Sequence, residues 1–251
     1  MRNLRIIARL DIKAPYLIKG IQLEGVRKLG YPNEYALKYY NEGIDEIYYE
    51  DAVASLYNRN NIVEIVEETS NNIFIPLTVG GGLRSVKDIQ TVLNSGADKI
   101  SINSEALKNP NIISECSKQF GSSTIVLSIQ AKRTNNWWEA YYDNGREHSN
   151  KNVIEWAQEG EQLGAGEILI TSVDNEGTQK GFDIELINSV MKKVKIPVIA
   201  SGGMGKLDHI YDLVKNTDVD AIAIAHCLHY GKFSIADIKK FCLKKNISTK
   251  I

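Results

Sequence analysis

Only three cysteines occur among 251 residues, and Cys116, Cys227 and Cys242 stand far apart. An odd number without metal-ligand spacing argues against a disulfide framework or a zinc site and suits a reducing compartment. An excess of one charge is also missing, since 30 basic and 31 acidic residues leave a net −1. Such a chain has no long-range attraction for nucleic acid or anionic lipid, so any anionic ligand must be held by local groups. Long apolar runs are absent. The stretch Leu4 to Leu10 is interrupted by Arg5 and Arg9 and followed by Asp11, which fits neither a signal peptide nor a membrane span. The expectation is a cytoplasmic protein with no nucleic-acid or membrane partner. Linkers, low-complexity segments and charge blocks are lacking too. The length matches one (β/α)8 barrel, so residues 1–251 are expected to form a single domain.

What is present is a repeat of short apolar segments separated by amphipathic stretches. They run from Leu4 to Leu10, Glu46 to Tyr49, Ile75 to Val79, Lys99 to Ile102, Thr124 to Ile129, Ile168 to Thr171, Pro197 to Ala200 and Ala221 to Ile224. Eight strands alternating with helices predict a parallel sheet, and that count favours closure into a (β/α)8 barrel. The halves echo one another. Ile75-Pro76-Leu77-Thr78-Val79-Gly80-Gly81-Gly82 returns 121 residues later as Ile196-Pro197-Val198-Ile199-Ala200-Ser201-Gly202-Gly203, and Leu10-Asp11-Ile12-Lys13 returns as Ile129-Gln130-Ala131-Lys132. The fold therefore reads as two duplicated half-barrels. Two long connections remain: Lys13 to Tyr31 reads as a loop, and Thr134 to Ser149 as a small hairpin or a loop whose Trp137, Trp138, Tyr141 and Tyr142 cover a substrate.

A glycine run at a strand end lets backbone N–H groups approach a phosphate, and a following helix adds a favourable dipole. Gly81-Gly82 and Gly202-Gly203 have this form, each followed about one strand later by Asn103-Ser104 or Ala225-His226. That arrangement predicts two phosphate cradles on opposite sides of one mouth. Lys19, Thr171 and Gly177 are further candidates for phosphate or substrate contact. Asp11 ends the first strand, where a carboxylate at the mouth can transfer protons or simply order Lys13 or Lys19. Its counterpart Gln130 can hydrogen-bond but cannot exchange a proton near neutral pH. Arg5, Glu46, Lys99 and Glu167 sit near the starts of strands one, two, four and six, where alternating charges ring the floor of a barrel. Taken alone, such a ring reads as salt bridging. His148, His209 and His229 read as surface or packing residues. No cofactor and no metal is implied.

These residues resemble the HisF family, the cyclase subunits of imidazole glycerol phosphate synthase. The resemblance runs from Arg5 to about Ile238 and rests on Leu10-Asp11-Ile12-Lys13, Leu77 to Gly82, Gly96-Ala97-Asp98-Lys99, Ser101-Ile102-Asn103, Ala131-Lys132-Arg133, Gly164 to Leu169 and Ile199 to Gly203. It implies a HisH-like glutaminase partner docked on the barrel floor near Asp98. It also implies a gate of Arg5, Glu46, Lys99 and Glu167 that admits ammonia to the barrel interior, and a small substrate with two phosphates. Gln130 departs from the pattern, standing where the family has its second catalytic aspartate. Arg9 replaces a usual cysteine, and Gly25 to Pro32, Leu56 to Asn61 and Asp143 to His148 also differ. The last two segments are similar to a paralogous branch that supplies ammonia to a third protein, a sugar-modifying amidotransferase forming acetamidino groups on nucleotide-linked surface sugars. Ammonia channelling in that branch is the first expectation; histidine-pathway cyclisation is the second, and a silent phosphate-binding scaffold the third.

Overall fold

The computed structural model describes residues 3–54 and 62–250. In chain order the strands are β1 (Arg5–Lys13), β2 (Tyr16–Ile21), β3 (Glu24–Gly30), β4 (Glu46–Asp51), β5 (Leu77–Gly80), β6 (Lys99–Ile102), β7 (Ile125–Thr134), β8 (Trp137–Tyr142), β9 (Glu147–Asn152), β10 (Glu167–Ser172), β11 (Val198–Ser201) and β12 (Ala221–Ile224). Eight of them, β1, β4 to β7 and β10 to β12, pair in parallel, and β7 with β10 and β12 with β1 complete the circle. This is the expected (β/α)8 barrel. All eight apolar segments read from the sequence fall on its staves.

Helices clothe the outside: α1 (Pro32–Asn41), α2 (Val63–Ser70), α3 (Val86–Asn94), α4 (Ser104–Lys108), α5 (Asn111–Phe120), α6 (Val153–Gln162), α7 (Ile184–Met191), α8 (Asp208–Asn216), α9 (His226–His229) and α10 (Ile235–Lys244). Their starts are set by local chemistry. Ser85 accepts the Asp88 N–H at 3.1 Å ahead of α3, and Ser234 and Asp237 form a reciprocal capping box on α10. Among the described residues no helix is long and apolar enough to cross a membrane.

Period-two alternation separates two cores. Ile6, Ala8, Leu10 and Ile12 face outward into the layer shared with the helices, whereas Ile7 joins Tyr48, Val126, Leu169, Ile199, Ala221 and Ala223 inside the barrel. Removing such a fully buried aliphatic side chain from water is worth about 1.5–3 kcal/mol. Strand spacing is reinforced by a repeated device at the floor. The carboxylates of Asp45, Asp98 and Asp220, each just before an even-numbered stave, accept the N–H groups of Ile6, Leu77 and Val198 at 2.8, 2.8 and 3.0 Å.

The sequence left Lys13 to Tyr31 as a loop; the structure folds it into an antiparallel hairpin, β2–β3, continuing from β1. Gln22 and Leu23 turn it with φ of 51° and 64°, a left-handed pair usually supplied by Asn-Gly. The second long connection is a hairpin too, β8–β9 on β7, extending to Asn152. Its aromatics pack within this hairpin and its surroundings: Trp138 is buried and donates to Asp183 at 3.2 Å, and Tyr141 packs tilted against His148. The duplication thus includes both hairpins, whose tips meet over the mouth where Asn144 Nδ2 donates to Leu23 O at 3.3 Å. Leu56 to Asn61 lies outside the described residues.

Candidate functional site

Inward-facing residues arrange the barrel interior in layers. On β1 the sequence of inward positions is Arg5, Ile7, Arg9 and Asp11; on β4 it is Glu46, Tyr48 and Glu50. At the floor, Arg5 Nη1 meets Glu46 at 2.7 Å and Nη2 pairs with Glu167, while Lys99 Nζ lies 3.0 Å from Glu167 and 3.6 Å from Glu46. The four charges predicted to ring the floor do form one closed ring. It is partly open to solvent on the outside and backed inside by the apolar belt of Ile7, Val126 and Leu169. Asp98 is exposed beside it.

Above the belt the lumen is polar. Arg9, fully buried, reaches across from β1: Nε donates to Asp11 Oδ1 at 2.9 Å and Nη1 to Thr171 Oγ1 at 2.7 Å, while its guanidinium lies 5.7 Å from the Tyr48 ring centre. Lys19, carried in from the β2–β3 hairpin, donates to Asp11 Oδ2 at 3.0 Å and also pairs with Glu176. Burial alone would raise the Asp11 carboxyl; the two cations outweigh it and hold Asp11 well below the usual carboxylate range. A carboxylate so clamped orients and neutralises cations, and is a poor proton shuttle near pH 7.

The two glycine runs expected to cradle phosphate resemble one another in backbone. Gly81, Gly82, Gly202 and Gly203 all have positive φ, from 71° to 103°. A Cβ on Gly81 would stand 2.3 Å from Asp51 O, and one on Gly203 1.9 Å from Gly181 O, so the runs need glycine for both conformation and space. Asn103 and Ala225, ahead of α4 and α9, share φ/ψ values near −125°/−76° (−126°/−79° and −124°/−73°). The first glycine run opens on a recess lined by Glu50, Gly81, Gly82, Asn103, Ser104 and Gln130. Across the mouth, a Cβ on Gly177 would stand 2.8 Å from Gly20 O, and His226 Nε2 lies 2.9 Å from Gln179 Nε2. Burial and the nearby Lys19 and Lys232 lower the His226 pKa, favouring the neutral ring. His148 and His209 make hydrogen bonds to Tyr141 and to the Gly205 N–H, and His229 is buried against Tyr39.

Sequence reasoning did not place Arg9, Tyr48, Glu50, Ser101 or Glu176 at the mouth. The signal existed for Glu50, which shares strand parity with Glu46. Tyr48 donates to Glu50 and lies 2.9 Å from Ser101 Oγ. Burial raises the Glu50 carboxyl to about 7 against the opposing pull of Arg9.

The family model for histidine biosynthesis protein matches residues 5–234. An imidazole glycerol phosphate synthase subunit HisF from Legionella pneumophila is 61% identical over 209 residues, covering 83% of this chain and 99% of that one. HisF subunits from Thermococcus onnurineus and Prochlorococcus marinus are 43% and 45% identical, over 98% and 99% of this chain and 98% of each relative. The chain belongs to the HisF family. As a HisF relative it carries the expected glycine runs and floor charges in the expected order, together with Gln130 and Arg9 inside the mouth. These relatives bear the histidine-pathway name, so the second functional expectation from the sequence is better supported than the first.

Proposed function

We propose that this HisF-family chain is the cyclase subunit of an imidazole glycerol phosphate synthase, acting on a ribulosyl formimino carboxamide nucleotide with two phosphates. The observation that carries the reading is the joint presence of near-full-length identity to HisF subunits and two matching glycine cradles facing one mouth. In this reading a HisH-like glutaminase docks at the floor near Asp98, ammonia enters between Arg5, Glu46, Lys99 and Glu167, and the substrate spans the mouth. One phosphate lies on Gly81, Gly82, Asn103 and Ser104, and the other on Gly177, Gly202, Gly203, Ala225 and His226. Backbone N–H groups supply the anion contacts that the near-zero net charge does not. No cofactor takes part. Asp11, held as a carboxylate, stabilises cationic character in the reacting nitrogen.

One observation favours a second reading. Gln130 cannot transfer a proton and Arg9 crosses the lumen to clamp Asp11, which suits a barrel that passes ammonia to a third, sugar-modifying protein instead of cyclising. A reconstituted assay separates them. The chain, its cognate glutaminase, glutamine and the bis-phosphate nucleotide should yield imidazole glycerol phosphate; glutamine hydrolysis without that product contradicts the cyclase reading.

A further inference from the structure

Asp11 and Glu50 are neighbours across the β1–β4 pairing, yet their surroundings differ. Asp11 is gripped by Arg9 and Lys19, whereas Glu50 makes no ion pair among the described residues and instead accepts the Tyr48 hydroxyl. Its carboxylate occupies space that only a glycine at position 80 leaves free: a Cβ there would be 2.7 Å from Glu50 Oε2. Tyr48 and Ser101 extend the contact into a short hydrogen-bonded chain on the wall of the lumen. Glu50 also lines the recess that holds Gly81 and Gly82. Gln130 lines the same recess, 3% exposed, with its Oε1 unpartnered among the described residues. A buried amide oxygen of this kind accepts a hydrogen bond from whatever enters, so the recess offers one acceptor that cannot titrate and one carboxylate that can.

We propose that Glu50 is the proton-transfer residue of this mouth, filling the role that the Gln130 amide cannot. The inference rests on the cyclase reading. When ammonia attacks the keto carbon of the ribulosyl group, a C–N bond forms and the carbonyl oxygen must leave as water. Glu50 takes a proton from the nitrogen and gives it to the oxygen, once to form the carbinolamine and again to expel water. The sum is NH3 + C=O → C=NH + H2O, with no oxidant or reductant. The groups facing Glu50 are Arg9 and Asp11 of β1, Tyr48 and Asp51 of β4 and Ser101 of β6, with Arg84, Glu105 and Lys108 farther out around the recess. Because burial lifts its pKa to about 7, Glu50 exchanges protons at the working pH, where Asp11 stays ionised.

The test is steady-state turnover of the bis-phosphate nucleotide with saturating ammonium chloride, from about pH 5.5 to about pH 9, spanning the range in which such a group titrates. The wild type should show an inflection near 7. Glu50→Gln should lower kcat ~100-fold or more with KM little changed and without that inflection. Adding Gln130→Asp to Glu50→Gln should restore part of the rate, a rescue that a merely structural role for Glu50 would not give. An active wild type whose rate and profile survive Glu50→Gln would overturn the role of Glu50 and leave the cyclase reading standing. Wild type and Gln130→Asp both inert while still binding the nucleotide by calorimetry would overturn the cyclase reading and the role of Glu50 with it. Should Glu50→Gln not fold, Glu50→Asp keeps the charge and carries the test: a shifted inflection supports the proposal and an unmoved one overturns it.

Discussion

The Arg9 guanidinium and the Asp11 carboxylate form an ion pair of 2.9 Å inside the barrel, with both side chains at least nine-tenths buried. Arg9→Met removes one of the two cations that hold the buried Asp11 carboxylate and leaves Lys19, a loss at the lower end of the roughly 3–5 kcal/mol that breaking a buried pair costs. The melting temperature should therefore fall by about 6–12 °C at neutral pH, from the usual 2–4 °C per kcal/mol for a chain of this size. The variant should also raise the Asp11 pKa, readable by NMR. A melting temperature unchanged by Arg9→Met would mean that the pair is not formed in solution.

Asp11 and Glu50 pull stability in opposite directions with pH. The Asp11 pKa is depressed on folding, so its contribution is present above the unfolded value of about 3.9 and is lost as pH falls through the folded one. Glu50 is raised from 4.5 to about 7, so the folded state retains a proton that the unfolded chain has released. The Glu50 term is thus absent below about pH 4.5, grows unfavourable as pH rises toward 7, and amounts to a penalty of about 3 kcal/mol above it. Urea midpoints of wild type and Glu50→Gln should converge near pH 4.5 and separate by pH 8, with the variant the more stable. Equal separation at both pH values would contradict a raised Glu50.

At the floor, Arg5 and Lys99 are about a quarter exposed, so each of their ion pairs is worth about 1 kcal/mol or less to stability. The ring should matter to supply more than to folding. Lys99→Ala is expected to change the glutamine-driven rate at least ~10-fold more than the ammonium-driven rate, while shifting stability by no more than ~1 kcal/mol. Equal effects on the two rates would argue against passage of ammonia through the ring.

Gly203 has φ of 103° and no room for a methyl group beside Gly181 O. Gly203→Ala should cost on the order of 1–3 kcal/mol of stability and weaken inorganic phosphate binding several-fold. Phosphate affinity unchanged in a folded Gly203→Ala variant would remove Gly203 from the cradle.

Much of the architecture was legible because each stave is a short apolar run and because the halves repeat, down to matching glycine runs. The β2–β3 hairpin was not. Its turn is made by Gln22 and Leu23, which give none of the Asn-Gly or Asp-Gly signal that marks a left-handed turn. The same hairpin carries Lys19 onto Asp11, the pairing that the sequence reading had offered as one of two roles for that carboxylate. Arg9 stood out as a departure from the family, but nothing in the sequence around it indicates that it crosses the lumen to Thr171, 162 residues later. Glu50 was recoverable from alternation with Glu46 and Tyr48; what sequence could not supply was its burial against Gly80, which sets its proton affinity.

The central claim is that this barrel cyclises a bis-phosphate ribulosyl nucleotide despite Gln130. The most direct measurement is turnover by the purified wild-type chain with excess ammonium chloride, which bypasses any glutaminase, beside a Gln130→Asp variant. Wild-type formation of imidazole glycerol phosphate, exceeded or matched by the variant, is the expected result. A folded wild type that binds the nucleotide but releases no product, with activity appearing only in Gln130→Asp, would contradict the claim and point to ammonia delivery for another enzyme.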